Sequence, residues 1–477
     1  MDRKTFVEQC IDERAQELTH ISELVWEYAE GGYQEHKSVE LLCGALEKEG
    51  FTVTQNLTNI PTAFKGVWGT GKPVIGILGE YDALPGLSQQ AGCTTKAPRE
   101  EGARGHGCGH NMLGTGALAG AIAIKEYLKE TGKPGTVIYF GTPAEENGAG
   151  KAFMARDGAF DGVDYVYTWH PGTTNGVNSC HMVGLYNRIY SFKGVTAHAG
   201  GAPHLGRSAL DSVELMNVGV NYLREHVIQE ARIHYAYLDA GGTAPNVVQD
   251  HASVRYVIRA PYMNQVKEIT ARIDDIARGA ALMCGTQASW RIESAYSDYI
   301  PNTVLATVMT EAMKQIGAPQ WTKEDYALAA KFDATVGENN KAEEKTMLQK
   351  RYGKDEAEEK LKQPLDTKIE EFDETKQVII TGSTDVGDVG YIAPTVMCTV
   401  ATASFATPGH SWQMTAQGNS PIGHKGMLVA GKVIALASIM MLEDPEKVQQ
   451  AKEEFMAKNG GVYDCALPKE LKAPEAI

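Results

Sequence analysis

Three short apolar runs, each closed by side chains that bind metals or move protons, constrain this chain more than any other feature. Residues 73–78 lead into Gly79-Glu80-Tyr81-Asp82-Ala83-Leu84-Pro85. Residues 136–140 lead into Gly141-Thr142-Pro143-Ala144-Glu145-Glu146-Asn147-Gly148, and residues 163–169 into His170-Pro171-Gly172. Runs this short and apolar suit strands buried on both faces of a parallel arrangement. Open α/β sheets collect their sites beyond the carboxyl ends of such strands. The expected fold is therefore α/β, with the chemistry gathered at one end of the sheet.

Between the first two runs lies Gly105-His106-Gly107-Cys108-Gly109-His110-Asn111, a thiol between two imidazoles with glycine at alternate positions. Glycine permits a sharp turn and a close backbone approach. Cys and His are ligands for borderline transition metals. Small and apolar residues follow at helical spacing over 112–130, so the loop enters a helix. Adjacent glutamates usually lie on a solvated helix face. Glu145 and Glu146 instead follow an apolar strand, where neighbouring side chains of an extended segment point opposite ways. One carboxylate can bind metal while the other moves a proton. Asp82 is placed to orient a metal-binding imidazole, or is an ordinary turn residue.

The remaining pattern divides the chain. Helices are expected over 7–29 and 38–49, and strands over 51–54 and 63–68. From residue 185 the texture becomes strand, helix, strand, helix, strand: strands over 186–192 and 252–258 and near 287–294, helices over 208–225 and 266–284. This suggests an inserted α+β unit, and a division into 1–184, 185–298 and 299–477. Its polar signals are His198, Asn246 and Arg259, of which His198 alone would read as a loop histidine. A charged insertion at about 336–378, densest in Lys and Glu over 341–377, reads as solvated and partly helical, without assigned chemistry. Thr407-Pro408-Gly409-His410-Ser411-Trp412-Gln413 is a turn with a further candidate imidazole, and a helix is expected over 425–441.

Bulk numbers exclude some functions. The 477-residue chain carries a net charge of −15, which argues against nucleic acid or an anionic membrane as the main partner. No run of about 18 apolar residues is evident, so no transmembrane helix is expected. Residues 1–13 lack the apolar core of a secretory signal. Eight cysteines without framework spacing suit free thiols in a reducing cytoplasm.

Cys108-Gly109-His110, Glu145-Glu146, His170, the inserted unit and a late histidine together resemble the M20 metallopeptidase and amidohydrolase family, in particular its aminoacylase-like branch. The matching blocks span nearly the whole chain. The resemblance implies an α/β catalytic domain with a central mixed sheet flanked by helices and two divalent ions, Zn or Mn, and an inserted α+β lid and dimerisation domain. It implies Cys108, His110, Glu146, His170 and His410 as metal ligands, with His410 a better match than His424. It implies Glu145 as general base and His198 as a group stabilising the reacting carbonyl, often across a dimer interface. Asn246 and Arg259 match lid residues that hold a substrate carboxylate. The branch commonly reads Cys-Gly-His-Asp-x-His, whereas Asn111 and Leu113 stand here. That departure fits the group acting on p-aminobenzoyl-glutamate better than the one acting on hippurate. The implied activity is hydrolysis of N-acyl or aroyl amino acids by a homodimer, or by a heteromer with a related subunit. The alternatives are a dipeptidase on the same scaffold and a non-catalytic subunit that only completes another chain's lid.

Overall fold

The computed structural model describes residues 1–376, 378–459 and 461–476. In chain order the strands are β1 (Thr52–Gln55), β2 (Phe64–Thr70), β3 (Val74–Gly79), β4 (Gly135–Gly141), β5 (Tyr165–Gly172) and β6 (Gly176–Val177). They continue as β7 (His181–Met182), β8 (Gly184–Lys193), β9 (Arg232–Asp239), β10 (His251–Ala260), β11 (Gln287–Tyr296), β12 (Ile379–Ile380) and β13 (Thr395–Ala401).

The main sheet has the order β1-β2-β4-β3-β5-β13-β6. Its centre, β4-β3-β5-β13, is parallel, while β1, β2 and β6 pair antiparallel, so the sheet is mixed. Alternate residues of the same strands feed two cores. Ile75, Ile77, Val137, Tyr139 and Trp169 pack with the helices His110–Thr131 and Pro421–Leu442, whereas Leu78, Phe140 and Val166 pack with the helix Gly150–Arg156. Both faces are covered, which explains why these strands read as continuous apolar runs. Trp169 donates its indole N–H to the Leu113 carbonyl at 3.0 Å, and a Cβ on Gly116 would meet that ring at 2.8 Å. The helix that begins at His110 is thereby locked against the strand that carries His170.

The second sheet, β11-β8-β10-β9, is antiparallel throughout. The helices Ala209–Leu223 and Met263–Cys284 pack against it. The sequence pattern misses β9, an edge strand with Tyr235, Tyr237 and Leu238 exposed, so no buried face announces it.

Four expectations need correction. The helix expected over 7–29 is two, Arg3–Asp12 and Ala15–Tyr28. Arg14 leaves helical geometry between them, and its guanidinium takes the Cys10 carbonyl. His170 lies inside β5 because pairing with β13 continues to Gly172. The helix Pro421–Leu442 is long and apolar enough to cross a membrane, an apolar run that the sequence reading did not register, but most of it is buried within the fold. The charged insertion is not simply solvated: Leu348 and Ala357 bury against Phe405, and Lys360 pairs with Asp366 out of solvent. Immediately before it, Phe332 packs on Trp412 and Thr335 bonds Gln413, beside the turn that carries His410. The insertion's last part includes Gln377, which lies outside the described residues.

Candidate metal and catalytic centre

The loop 105–111 reaches the sheet through an abrupt turn. Gly109 has φ 83°, and a Cβ there would stand 3.0 Å from Pro171. Glycine alone meets both demands. The helix then starts at His110, leaving Cys108 and His110 on either side of the turn. Cys108 Sγ is 3.4 Å from His170 Nε2. His170 Nδ1–H donates to the Pro171 carbonyl at 2.8 Å, which turns its Nε2 lone pair inward. His110 Nδ1–H donates to Asp82 Oδ1 at 2.8 Å, and Asp82 Oδ2 accepts the Glu146 N–H at 3.0 Å. Asp82 therefore orients one imidazole and the backbone of the neighbouring acid together. Burial works against its charge, but the His110 ring holds its carboxyl down at about 2.

Glu145 and Glu146 are not extended. They open one helical turn, Glu145–Gly148, between Ala144 and Ala149, both at φ 58°. Successive helical residues are about 100° apart around the axis, so the two carboxylates still diverge. Glu146 Oε2 lies 3.3 Å from His410 Nε2. His410 is itself at φ 52°, a left-handed position that costs a non-glycine residue about 1–3 kcal/mol. Its N–H bonds the Gly107 carbonyl at 3.0 Å, which ties the late histidine to the Cys108 loop.

Donor atoms of Cys108, His110 and His170 lie within 4.8 Å of one another, and so do those of Cys108, Glu146 and His410. Glu145 falls instead with Glu80 and His110. Burial, with Glu80, Asp385 and Glu146 nearby, raises the Glu145 carboxyl well above the usual range, and Lys151 opposes this. Burial, reinforced by Glu146, pushes the Cys108 thiol up. Among the described residues, Glu80 Oε2, His110 Nε2 and Glu146 Oε1 are buried without a hydrogen-bond partner. Such orphans cost about 1–3 kcal/mol each, more when charged, unless a cation meets them. A thiol, three imidazoles and carboxylates form a donor set suited to zinc or manganese. The residues present fit divalent metal.

Other polar groups stay apart. His106 turns away from Cys108 to bond the Val25 carbonyl at 3.0 Å, and burial pushes its pKa down to about 4. Asn111 is pinned behind the loop by Ser22 Oγ and the Gly418 carbonyl, both at 3.0 Å, and Leu113 is core. His198 is exposed beside β8, and its Nδ1 accepts N–H groups from Gly200 and Gly201. Asn246 is also exposed, and its carbonyl accepts the Ala199 N–H. Arg259 bonds the Thr381 carbonyl and Ser383 Oγ across to the main sheet's side. Among the described residues, His198, Asn246 and Arg259 make no hydrogen bond to the cluster. Sequence reasoning also missed a buried network. Lys151 Nζ lies 2.6 Å from both Glu80 Oε1 and Asp385 Oδ1, with all three side chains buried. The signal was available: Glu80 stands two residues from Asp82, and Lys151 opens a helix that stays apolar until Arg156.

A mixed sheet whose parallel core delivers a Cys/His loop, a Glu-Glu turn and a strand histidine to one point defines a dinuclear-type hydrolase scaffold. The profile of peptidase family M20/M25/M40 matches residues 76–455, and the chain belongs to that family. It is an amide-bond hydrolase. It is 42% identical to one of the subunits that make up the p-aminobenzoyl-glutamate hydrolase of Escherichia coli (strain K12), over 98% of both chains. It is 31% identical to a Mus musculus Xaa-Arg dipeptidase, over 67% of this chain and 72% of the mouse protein. A dinuclear metal-binding M20 peptidase of Bacillus subtilis superposes with a TM-score of 0.59 at 16% identity, covering 91% of this chain and 99% of its own.

Proposed function

We propose that this chain hydrolyses the amide bond of p-aminobenzoyl-glutamate, or of a close N-aroyl amino acid, using two divalent ions. The observation that carries this is the divergence of two adjacent carboxylates. Glu146 faces His410 and Cys108, while Glu145 stays outside both donor groups that contain Cys108 and keeps a raised pKa. Cys108, His110, His170, Glu146 and His410 would hold the ions, which when bound acidify water and polarise the scissile carbonyl.

The chain's own residues do the rest. Glu145 takes the proton of the attacking water and returns it to the leaving nitrogen. A carboxyl with a raised pKa is suited to both halves of that task near neutral pH. Asp82 keeps the His110 ring from rotating. His198 Nδ1 is occupied by the Gly200 and Gly201 N–H groups, so its Nε2 side is the one offered to the developing oxyanion. Arg259 can pair in bidentate fashion with a substrate carboxylate, and Asn246 can add a hydrogen bond to it. This role requires the unit spanning residues 185–298 to act as a lid and dimerisation domain, closing over its own site or a second subunit's. The partner is another copy of this chain or a related subunit, and the setting is cytoplasmic.

The test is a panel of amides on purified protein loaded with Zn or Mn. Highest kcat/KM on p-aminobenzoyl-glutamate supports the proposal. Higher kcat/KM on a dipeptide with C-terminal Arg favours the second reading, which the mouse relative motivates. No turnover by the pure chain, restored by a related subunit, would identify a non-catalytic partner.

A further inference from the structure

Glu80 has no role in the scheme above, yet its surroundings are built with care. It leaves the carboxyl end of β3, is buried, and holds Lys151 through Oε1 at 2.6 Å. Lys151 in turn is fixed by Asp385, whose two oxygens take its Nζ at 2.6 Å and its own N–H at 2.9 Å. The second oxygen, Oε2, lies 3.2 Å from His110 Nε2. Among the described residues, neither atom makes a hydrogen bond to the other or to a third group. Two buried electron-pair donors converge without bonding each other. A common cation resolves this. Ligand atoms bound at about 2.0–2.2 Å in a tetrahedral site stand roughly 3.3–3.6 Å apart, and the observed separation is close to that.

We propose that Glu80 is itself a ligand of the ion that His110 holds, and that Lys151 and Asp385 are its positioning residues. The inference rests on the metal-centre reading. Lys151 occupies Oε1, so only Oε2 is free, and Glu80 binds through one oxygen. An added oxygen donor raises the anionic character of that half of the site and suits it to manganese as well as zinc. Asp82, two residues on, lies outside the ion and orients His110. The strand end thus supplies one direct donor and one support from alternate positions.

The experiment is crystallography of the full-length protein grown with zinc, with the ions located by anomalous scattering, paired with zinc titration of Glu80→Gln and Lys151→Met. Glu80 Oε2 is expected at about 2.0–2.2 Å from one ion. Glu80→Gln is expected to weaken one of two zinc equivalents by at least about 10-fold and leave the other unchanged, and Lys151→Met should weaken the same equivalent. Circular dichroism on both variants checks folding, and the wild-type crystal decides even if a variant fails to fold. Two ions present with Glu80 Oε2 more than about 3 Å from either would overturn the proposal and leave the metal centre standing. No ion at Cys108, His110 and Glu146 would overturn both.

Discussion

The carboxyl end of the main sheet and the loops of the second sheet hold their polar residues in opposite ways. At the main sheet the donors are held by their neighbours. His110 is gripped by Asp82, His170 by the Pro171 carbonyl, and the His410 turn by Gly107. His198 and Asn246 lie on exposed loops and support each other only through backbone pairing. The first region is organised before substrate arrives. The second leaves the His198 ring exposed, held only through Nδ1 by the Gly200 and Gly201 N–H groups among the described residues. On the proposed function, ion binding and proton transfer fall to the fixed region, and oxyanion stabilisation falls to His198.

Substitutions in the fixed region should separate chemistry from metal. Glu145→Ala is expected to lower kcat by about 10²- to 10⁴-fold or more while elemental analysis finds metal content unchanged. Loss of metal with substantial activity remaining would reverse the roles of Glu145 and Glu146. Trp169→Ala removes the bond and packing that lock the helix beginning at His110 to β5, and should cost about 3–5 kcal/mol in denaturant unfolding. An equivalent cost from truncating exposed Val247 would erase the contrast between the regions.

His198→Ala should reduce kcat by about 10²- to 10³-fold, the scale of a lost oxyanion donor. Because the ring is exposed, stability should stay within about 0.5 kcal/mol of the parent. A smaller effect is expected at the joint between the sheets. Asp388 there accepts bonds from Ser297 and Tyr463, and burial raises its pKa to about 6. A carboxyl raised on folding contributes stability that is full below its unfolded pKa and is lost as pH rises through the folded value. Asp388→Asn should therefore flatten the fall in stability between about pH 4 and 6, by an amount on the order of 1–3 kcal/mol. Urea midpoints at both ends of that window measure it.

The fixed region was legible in sequence because its residues sit at ends of apolar strands, where position itself carries meaning. The parallel core and most of the second sheet's elements followed from period and length. What was not legible depended on three-dimensional return. Glu80 is an acid two residues from another until Lys151 and Asp385 come back to it. His106 looks equivalent to His110 until Val25 claims it. The Glu145 turn is short enough that an extended and a helical reading predict the same divergence. β9 is an edge strand with little to bury. Nothing in one chain's sequence indicates which site the His198 loop serves.

Mixed subunits show directly which site the His198 loop serves. Glu145→Ala and His198→Ala proteins are each expected to be nearly inactive. If His198 serves a second subunit, a mixed dimer has one site with both lesions and one with neither. Mixing under conditions where mass spectrometry detects subunit exchange should then restore a substantial fraction of parental activity. Exchange with no recovery would contradict the shared site and return His198 to its own chain or to a structural role.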